Sequence, residues 1–278
     1  MLEYITEILH EQNIFCFAPI KLSDCKIVNE HLLQRENIEK GTAIIMAVPY
    51  YTEHCDESRN ISAYAVSRDY HLFYKNLFGT VVPKLQNKFK NNKFVGFTDH
   101  SPIAEVSAAA MAGIGIIGDN HMLITEKYSS YVFLGEIITD AIIDCETQQI
   151  QGCEHCGACM SHCPYYNKEC AECLSAITQK KGELTDDEKK LIVKYGYAWG
   201  CDICQEVCPH TLRAKRNGSI YSPIEFFKNE ATPIISQKTI QSMTKEQFSL
   251  RAYSWRGIAT LSRNLSLFEN PEENHEQR

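Results

Sequence analysis

The sequence predicts a mixed fold of the α/β and α+β classes in three regions, on two observations. From residue 1 to about 148, segments with helical and strand-like hydrophobic patterns alternate, as they do in α/β domains. Nine of the thirteen cysteines then lie between Cys153 and Cys208. We therefore expect an N-terminal α/β domain (1–148), a cysteine-rich domain (149–222) and a short helical C-terminal segment (223–278).

Local patterns define the elements of the first domain. Leu2, Ile5, Ile8 and Leu9 recur at helical spacing and predict an N-terminal helix. A long helical pattern runs from residue 61 to about 89, with expected breaks near Gly79 and Pro83. Apolar runs predict strands at 14–18, 42–51, 94–98 and 131–139.

Capping residues predict two further helix starts. Ser101 followed by Pro102 suits an N-cap and a first helical position, so a helix is expected from there to residue 112. Thr185 with Glu188 forms a capping box in front of a short helix. The polar end of the chain, 269–278, is expected to be disordered.

Charge and composition narrow the functional classes. The net charge of −7 argues against a general nucleic-acid binder. Acidic residues replace the basic start of a signal peptide, and no apolar run approaches a membrane span, so we expect a cytoplasmic protein without membrane contact. In that reducing compartment the thirteen cysteines are not expected to form disulfides. Cys16, Cys25, Cys55 and Cys145 are interpreted as small apolar side chains.

The cysteine spacing is the most specific feature of the chain. Residues 153–164 read C-x2-C-x2-C-x3-C-P, which matches the run of bacterial ferredoxins that bind two [4Fe–4S] clusters. Residues 201–209 repeat a shorter form, C-x2-C-x3-C-P. Structural zinc also uses Cys-x2-Cys pairs, but a run of three evenly spaced cysteines with a Cys-Pro favours iron–sulfur clusters. The cysteine-rich domain is therefore expected to be ferredoxin-like.

In such runs the cysteine before proline binds the other cluster. This logic assigns Cys153, Cys156, Cys159 and Cys208 to the first cluster. The second cluster then receives Cys163, Cys201 and Cys204, and its fourth ligand is either Cys170 or Cys173. Spacing alone leaves that choice open.

Two polar or glycine-rich segments allow competing interpretations. Gly113, Gly115 and Gly118 fit the G-x-G-x-x-G pattern, but a helix precedes the segment and a strand-like segment follows it, so we interpret it as a turn and not as a dinucleotide site. Asp99 follows a strand and can be a simple turn residue. The run 68–71, Arg-Asp-Tyr-His, can be a solvated helix face.

Four blocks in a consistent order resemble the epoxyqueuosine reductases, which are cobalamin-dependent iron–sulfur enzymes of the last step of queuosine biosynthesis on tRNA. The blocks are 64–71 (YAVSRDYH), 98–118 (from TDHSP to GIGIIG), 133–136 (FLGE), and the cysteine motifs with 173–178 (CLSAIT) and 200–209 (GCDICQEVCP). The resemblance covers about 42–264.

The resemblance implies a cofactor set and residue roles. It implies that the first domain holds cobalamin, that two [4Fe–4S] clusters pass electrons to it, and that Asp99 donates a proton as an epoxide opens to an alkene. Asp69, Tyr70 and His71 match the active-site and cofactor-facing segment, and Gly113, Gly115 and Gly118 are taken with them as cobalamin-binding residues. Cys173 matches the lone ligand cysteine. The expected partners are tRNA, or another small epoxide-like substrate, and an electron donor.

Two departures from the family pattern keep other functions open. Asp119 stands where the family commonly has lysine, and the chain ends soon after 262–265, where a C-terminal helical-repeat region usually begins, so a short form lacking that region is expected. Basic clusters at 84–93 and 213–216 are interpreted as a solvated surface. The alternatives are a corrinoid iron–sulfur reductase with a different substrate and an electron-transfer iron–sulfur protein.

Overall fold

The computed structural model describes residues 1–269, which form two compact units. The first unit contains Met1–Tyr50, Tyr70–Cys156 and Pro209–Ile224. The second contains Tyr51–Asp69, Gly157–Cys208 and the residues from Glu225 onward. Each unit thus draws on three separate stretches of chain. The predicted domains are contiguous stretches, and their boundaries stay a prediction.

The described chain is mixed α/β. Its strands are β1 (Phe17–Lys21), β2 (Thr42–Pro49), β3 (Phe94–Phe97), β4 (Ile116–Ile117), β5 (Leu123–Ile124) and β6 (Val132–Thr139). Its helices are α1 (Leu2–His10), α2 (Glu30–Glu36), α3 (Tyr70–Lys88), α4 (Glu105–Met111), α5 (Ala158–His162), α6 (Leu174–Gln179), α7 (Asp186–Tyr195), α8 (Ile203–Glu206), α9 (Pro209–Arg216), α10 (Glu225–Lys228), α11 (Gln237–Ser242), α12 (Lys245–Ser249) and α13 (Ile258–Glu269).

A four-stranded antiparallel sheet organises the first unit, in the order β1-β2-β6-β3. All eight residues of β2 are buried, because this strand is paired on both edges and covered on both faces. The register of β3 on β6 places Phe97 opposite Glu136. This pairing brings the chain that follows β3 next to a buried carboxyl group.

The prediction of β2 is confirmed, whereas β1 begins three residues after its predicted start. Ile14 does not join the strand, because it ends α1. Asn13 adopts a left-handed φ of 58°, and the backbone N–H of Ile14 donates to the carbonyl of Leu9 at 3.0 Å, a helix-terminating arrangement in which Ile14 is buried. The apolar character of Ile14 therefore reflects helix capping.

The helix predicted over 61–89 begins later and is not broken. Residues 61–69 contain only a short 3-10 turn, Ala63–Ala65, and α3 runs unbroken through Gly79 and Pro83. Proline removes one helical hydrogen bond and its ring crowds the carbonyl four residues earlier, which here belongs to Gly79. Buried contacts of Phe73, Leu77 and Leu85 on either side hold the helix together.

The predicted helix start at Ser101 is wrong, since α4 begins at Glu105 with Ala104 as its N-cap. The hydroxyl of Ser101 accepts the N–H of Ile103 and donates to the Glu136 carboxyl, so it is engaged before any helical turn forms. Ile103 in turn pairs with Ile27 in an antiparallel bridge. A long-range contact overrides the local capping signal here.

The second unit is largely helical. The predicted capping box is confirmed, because Thr185 accepts from the N–H of Glu188 and Glu188 accepts from the N–H of Thr185. Helix α13 packs on α6 and α7, where buried Asn264 donates to the carbonyls of Thr178 at 2.6 Å and Ala198 at 2.8 Å. Glu269 ends α13, and the remainder of the predicted disordered tail lies outside the described residues.

Within residues 1–269, no helix combines the length and apolarity that a membrane crossing requires.

Candidate active site and cysteine sites

Asp99 and His71 meet at one end of the sheet in the first unit. Asp99 lies two residues after β3 in a left-handed conformation, with φ of 62°. His71 lies in the first turn of α3, and its Nε2 is 3.6 Å from Oδ2 of Asp99. The side chain of Asp99 is 69% exposed, so the carboxyl group is accessible to a ligand. The structure thus brings together two of the residues that the sequence singled out.

The pKa of Asp99 is lowered from its ordinary value, chiefly by His71. Burial acts in the opposite direction but is the smaller effect, and Tyr70 and His100 lower the pKa further. A proton-donor role at Asp99 predicts a raised pKa from burial in a closed site, and that expectation is wrong for this conformation. Exposure explains the difference, because water and a nearby imidazole both favour the carboxylate.

A stack of aromatic rings flanks this pair. The ring of Tyr70 lies parallel to Phe133, with centroids 4.2 Å apart and an angle of 13° between the planes. Phe133 also contacts Tyr50 at 4.3 Å, and Tyr70 contacts His71 at 4.1 Å. Tyr70 and Phe133 are both half-buried. The stack offers a flat apolar face beside a titratable pair, which suits a large planar group.

A buried pair of carboxyl groups lies behind the Asp99 loop. Glu136 on β6 is fully buried, and its carboxyl hydrogen-bonds that of Glu105, the first residue of α4. Burial raises the pKa of Glu105 to about 7 and that of Glu136 well above its ordinary value. Ser101 donates to Glu136, and Glu105 accepts the backbone N–H of Asp99.

The glycines of 113–118 serve close backbone approaches within the first unit. A Cβ on Gly115 would lie 2.4 Å from the carbonyl oxygen of Ile124, and Gly113 has a φ of 80°. The segment lies between α4 and β4, which confirms that it lacks the strand-to-helix context of a dinucleotide site. Whether these glycines contact cobalamin stays a prediction.

The same segment positions the first cysteine of the motif. The N–H of Cys153 donates to the carbonyl of Ile117 at 3.1 Å, and Ile117 forms a parallel bridge with Gly152. Oδ1 of Asp119 lies 2.7 Å from Nδ1 of His155, and both side chains reach close to the Cys153 thiol. Asp119, the departure from the family pattern, thus pairs with a histidine inside the cysteine run.

The remaining motif cysteines belong to the second unit. Cys159 lies on α5 and Cys204 on α8, and these two helices contact each other. Burial and the nearby Cys173 and Cys204 raise the pKa of Cys201. The thiol of Cys170 instead donates to the carbonyl of Glu172 at 3.0 Å. Crowded thiols without disulfide partners, as all thirteen cysteines here are, match the donor set of an iron–sulfur cluster.

Asp202 fixes the turn between Cys201 and Cys204. Its buried carboxylate accepts the N–H of Ala63 at 2.6 Å, the guanidinium of Arg59 at 3.1 Å and the hydroxyl of Ser62. Four elements of one turn are thereby tied to the stretch 59–63 of the second unit. Gly200, with φ of 70°, precedes this turn, and a Cβ there would strike Ser62.

Sequence reasoning missed several of these residues. Glu105, Glu136 and Phe133 lie inside the family-like blocks, yet they are distant in sequence and gave no motif of their own. Asp69, which the sequence grouped with Tyr70 and His71, belongs to the second unit, where its N–H donates to Leu250 at 2.8 Å.

The predicted basic cluster on and after α3 is partly engaged within the first unit. Lys84 pairs with Glu11 at 2.8 Å, and Lys93 donates to the carbonyl of Glu36 at 3.0 Å. Lys88 lies 5.5 Å from the centre of the Tyr4 ring. These contacts agree with the interpretation of a solvated charged surface.

Comparisons with known proteins identify the family. No family model matches the chain. The chain is 26% identical over 256 residues to the epoxyqueuosine reductase of Lactococcus garvieae, covering 86% of this chain and 72% of that protein. It is 30% identical over 232 residues to the epoxyqueuosine reductase of Leadbetterella byssophila, covering 80% of this chain and 74% of that protein.

Solved structures agree on the fold. The epoxyqueuosine reductase of Streptococcus thermophilus superposes with a TM-score of 0.75 at 24% identity, over 96% of this chain and 80% of that one. A crystal structure of an epoxyqueuosine reductase with an epoxyqueuosine-modified tRNA-Tyr stem loop gives a TM-score of 0.74 at 22% identity, with the same coverage. A Bacillus subtilis epoxyqueuosine reductase, described with its catalytic aspartate loop swung out of the active site, gives 0.70 at 22% identity, over 96% of this chain and 81% of that one. The chain therefore belongs to the epoxyqueuosine reductase family of oxidoreductases.

Proposed function

We propose that this protein converts epoxyqueuosine to queuosine in tRNA, with Asp99 as the proton donor. The observation that carries the proposal is the meeting of Asp99 and His71, 3.6 Å apart, beside the Tyr70–Phe133 stack. Two relatives support it by their descriptions, one bound to an epoxyqueuosine-modified tRNA stem loop and one with a catalytic aspartate loop.

Opening an epoxide to an alkene consumes two electrons and two protons and releases water. When bound, the [4Fe–4S] clusters would supply electrons and cobalamin would supply the reduction of the carbon–oxygen bond. Asp99 protonates the leaving oxygen, and His71 orients the carboxyl group. Because tRNA binding would cover Asp99 and remove water, it would raise the pKa of this carboxyl from its lowered resting value.

The cofactors are assigned to residues as follows. Cys153, Cys156, Cys159 and Cys208 bind the first cluster, and Cys163, Cys173, Cys201 and Cys204 bind the second. The bond from the Cys170 thiol to the Glu172 carbonyl supports Cys173 as the ligand. The proposed cobalamin-binding residues are Asp69, Tyr70, His71, Gly113, Gly115 and Gly118, with Phe133 added because its ring extends the flat face of Tyr70.

These assignments correspond to a cobalamin-binding α/β domain (1–148), a ferredoxin-like domain (149–222) and a helical C-terminal segment (223–278). The proposed compartment is the cytoplasm, where the free thiols of all thirteen cysteines are compatible with a reducing environment. An electron donor must supply the clusters.

The test is a product assay. Protein reconstituted without oxygen with iron, sulfide and cobalamin is mixed with an epoxyqueuosine-containing tRNA stem loop and a strong chemical reductant, and queuosine is measured after nucleoside digestion. Formation of queuosine supports the proposal. Reduction of cobalamin without queuosine formation would favour a reductase with another substrate, and failure to bind cobalamin by calorimetry would favour an electron-transfer protein.

A further inference from the structure

The buried carboxyl pair of Glu105 and Glu136 has no part in the chemistry assigned above. Glu136 is fully buried within β6, between β2 and β3. Oε1 of Glu105 and Oε2 of Glu136 are both buried and receive a hydrogen bond from no other group among the described residues. The two carboxyl groups nonetheless hydrogen-bond each other.

Two carboxylates cannot form that bond, because neither carries a donor hydrogen. The bond therefore requires a proton on one of them. Glu136 is the better host, since it is fully buried and a buried charge without a cation is very costly. The second oxygen of Glu136 accepts the Ser101 hydroxyl, which leaves the protonated oxygen for Glu105.

The pair is attached to both ends of the segment that carries Asp99. Glu105 accepts the backbone N–H of Asp99, and Glu136 accepts Ser101, whose oxygen accepts the N–H of Ile103 at 3.1 Å. Asp99 has a left-handed backbone, which a non-glycine residue keeps only when its surroundings enforce it. The hydrogen bond to Glu105 supplies such an enforcement.

We propose that the Glu105–Glu136 pair is a loop lock, in which one retained proton on Glu136 lets Glu105 hold Asp99 in its catalytic position. This inference rests on the proposed function only for the role of Asp99. Glu105 and Glu136 are positioning residues, because they act on the loop and not on substrate.

The groups that face the pair are few. Asp99 lies next to Glu105, and the phenol of Tyr74 on α3 and the thiol of Cys25 lie near Glu136. Burial raises the pKa of Tyr74 well above its ordinary value and that of Cys25 to about 12. Both are neutral at physiological pH, so no cation reaches the pair from these elements. The proton on Glu136 is therefore retained through neutral pH.

Hydrogen–deuterium exchange of segment 98–103 tests the lock without any turnover. Glu136→Gln keeps a donor toward Glu105 and an acceptor for Ser101, so protection of the segment should match that of the wild type. Glu136→Leu removes both, and exchange should rise about tenfold or more. A Glu136→Leu variant with wild-type protection would overturn the proposal, and strand 42–49 reports whether the unit is still folded.

If Glu136→Leu does not fold, Glu105→Ala replaces it, because Glu105 is only half-buried at the start of α4. This variant removes the acceptor for the Asp99 N–H, and the same rise in exchange is expected. Glu105→Gln is its matched control, since the amide donates to Glu136 and its oxygen accepts from Asp99. Equal protection in Glu105→Ala and Glu105→Gln would contradict the lock.

Infrared difference spectra test the proton itself. At pH 8 the wild type minus Glu136→Gln should show the carbonyl stretch of a buried protonated carboxyl group. Absence of this band would show that Glu136 is ionised and would overturn the proposal.

Turnover on the epoxyqueuosine stem loop should fall in Glu136→Leu and recover in Glu136→Gln. If the wild type shows no turnover at all, the proposed function fails, while exchange and infrared data still decide the loop lock.

Discussion

At the scale of single residues, Asp99 combines two properties that oppose each other in a proton donor. Its exposure allows substrate to reach it, but exposure and His71 also hold its pKa below the ordinary value. A carboxyl group that is ionised at rest must gain a proton when the site closes. Local desolvation by a bound ligand is the physical means to achieve this, since it disfavours the charged form.

Replacing Asp99 by Asn should remove catalysis and leave the fold intact. Asn is nearly isosteric, can retain the backbone bond to Glu105, and tolerates the left-handed conformation. It cannot donate a proton as a general acid, so single-turnover reduction should slow by about 10²–10⁴-fold. Iron content, cobalamin binding and melting temperature should match those of the wild type. A fully loaded Asp99→Asn variant with wild-type turnover would refute the role.

Replacing His71 by Asn should raise the pKa of Asp99, because His71 is the main cause of its lowering. The pH at which turnover falls through loss of the Asp99 proton should move upward. The pair stabilises the folded state above the ordinary Asp pKa, and that contribution is lost as the pH falls through the lowered value. The measurement is the pH–rate profile. His100→Asn is the control, since His100 is the smallest of the effects on Asp99 and should move the profile less.

At the scale of secondary-structure elements, the sequence predicted those whose signals are local. Helix α1, strand β2 and the capping box of α7 depend on neighbouring residues, and each was found where the pattern indicated. The start of α4 and the Glu105–Glu136 pair depend on a partner about 35 residues away on β6. Hydrophobic periodicity carries no information on such pairings, so the carboxyl lock required coordinates.

The turn between Cys201 and Cys204 should depend on Asp202. Asp202→Ala leaves the guanidinium of Arg59, only 9% exposed, without that partner and orphans the N–H of Ala63. Removing one partner of a buried ion pair costs about 3–5 kcal/mol. The melting temperature should fall, and the reconstituted protein should hold less iron. Thr185→Ala, which loses a helix cap at a cost of about 1 kcal/mol, should keep its iron. Unchanged iron in Asp202→Ala would contradict this view.

At the scale of the whole molecule, the proposed ligands of the second cluster all belong to one unit. Cys163, Cys173, Cys201 and Cys204 lie in the second unit, whose stretches meet through buried side chains such as Asp202 and Asn264. Half-buried thiols packed around one another would repel as thiolates without a cation to neutralise them. Loss of iron should therefore loosen this unit, as occurs where metal binding is coupled to folding.

Two cysteine variants distinguish the ligand set within this unit. Wild-type protein reconstituted without oxygen should bind about eight irons per chain, as two [4Fe–4S] clusters require. Cys173→Ala should bind about four, because the second cluster loses a thiolate. Cys170→Ala should keep about eight, since its thiol donates to the Glu172 carbonyl and is not required as a ligand. Iron and sulfide analysis, with the paramagnetic resonance of the reduced protein, measures the difference. Loss of iron in Cys170→Ala with full iron in Cys173→Ala would reverse the assignment, and tightly bound zinc in place of iron would refute the cluster proposal altogether.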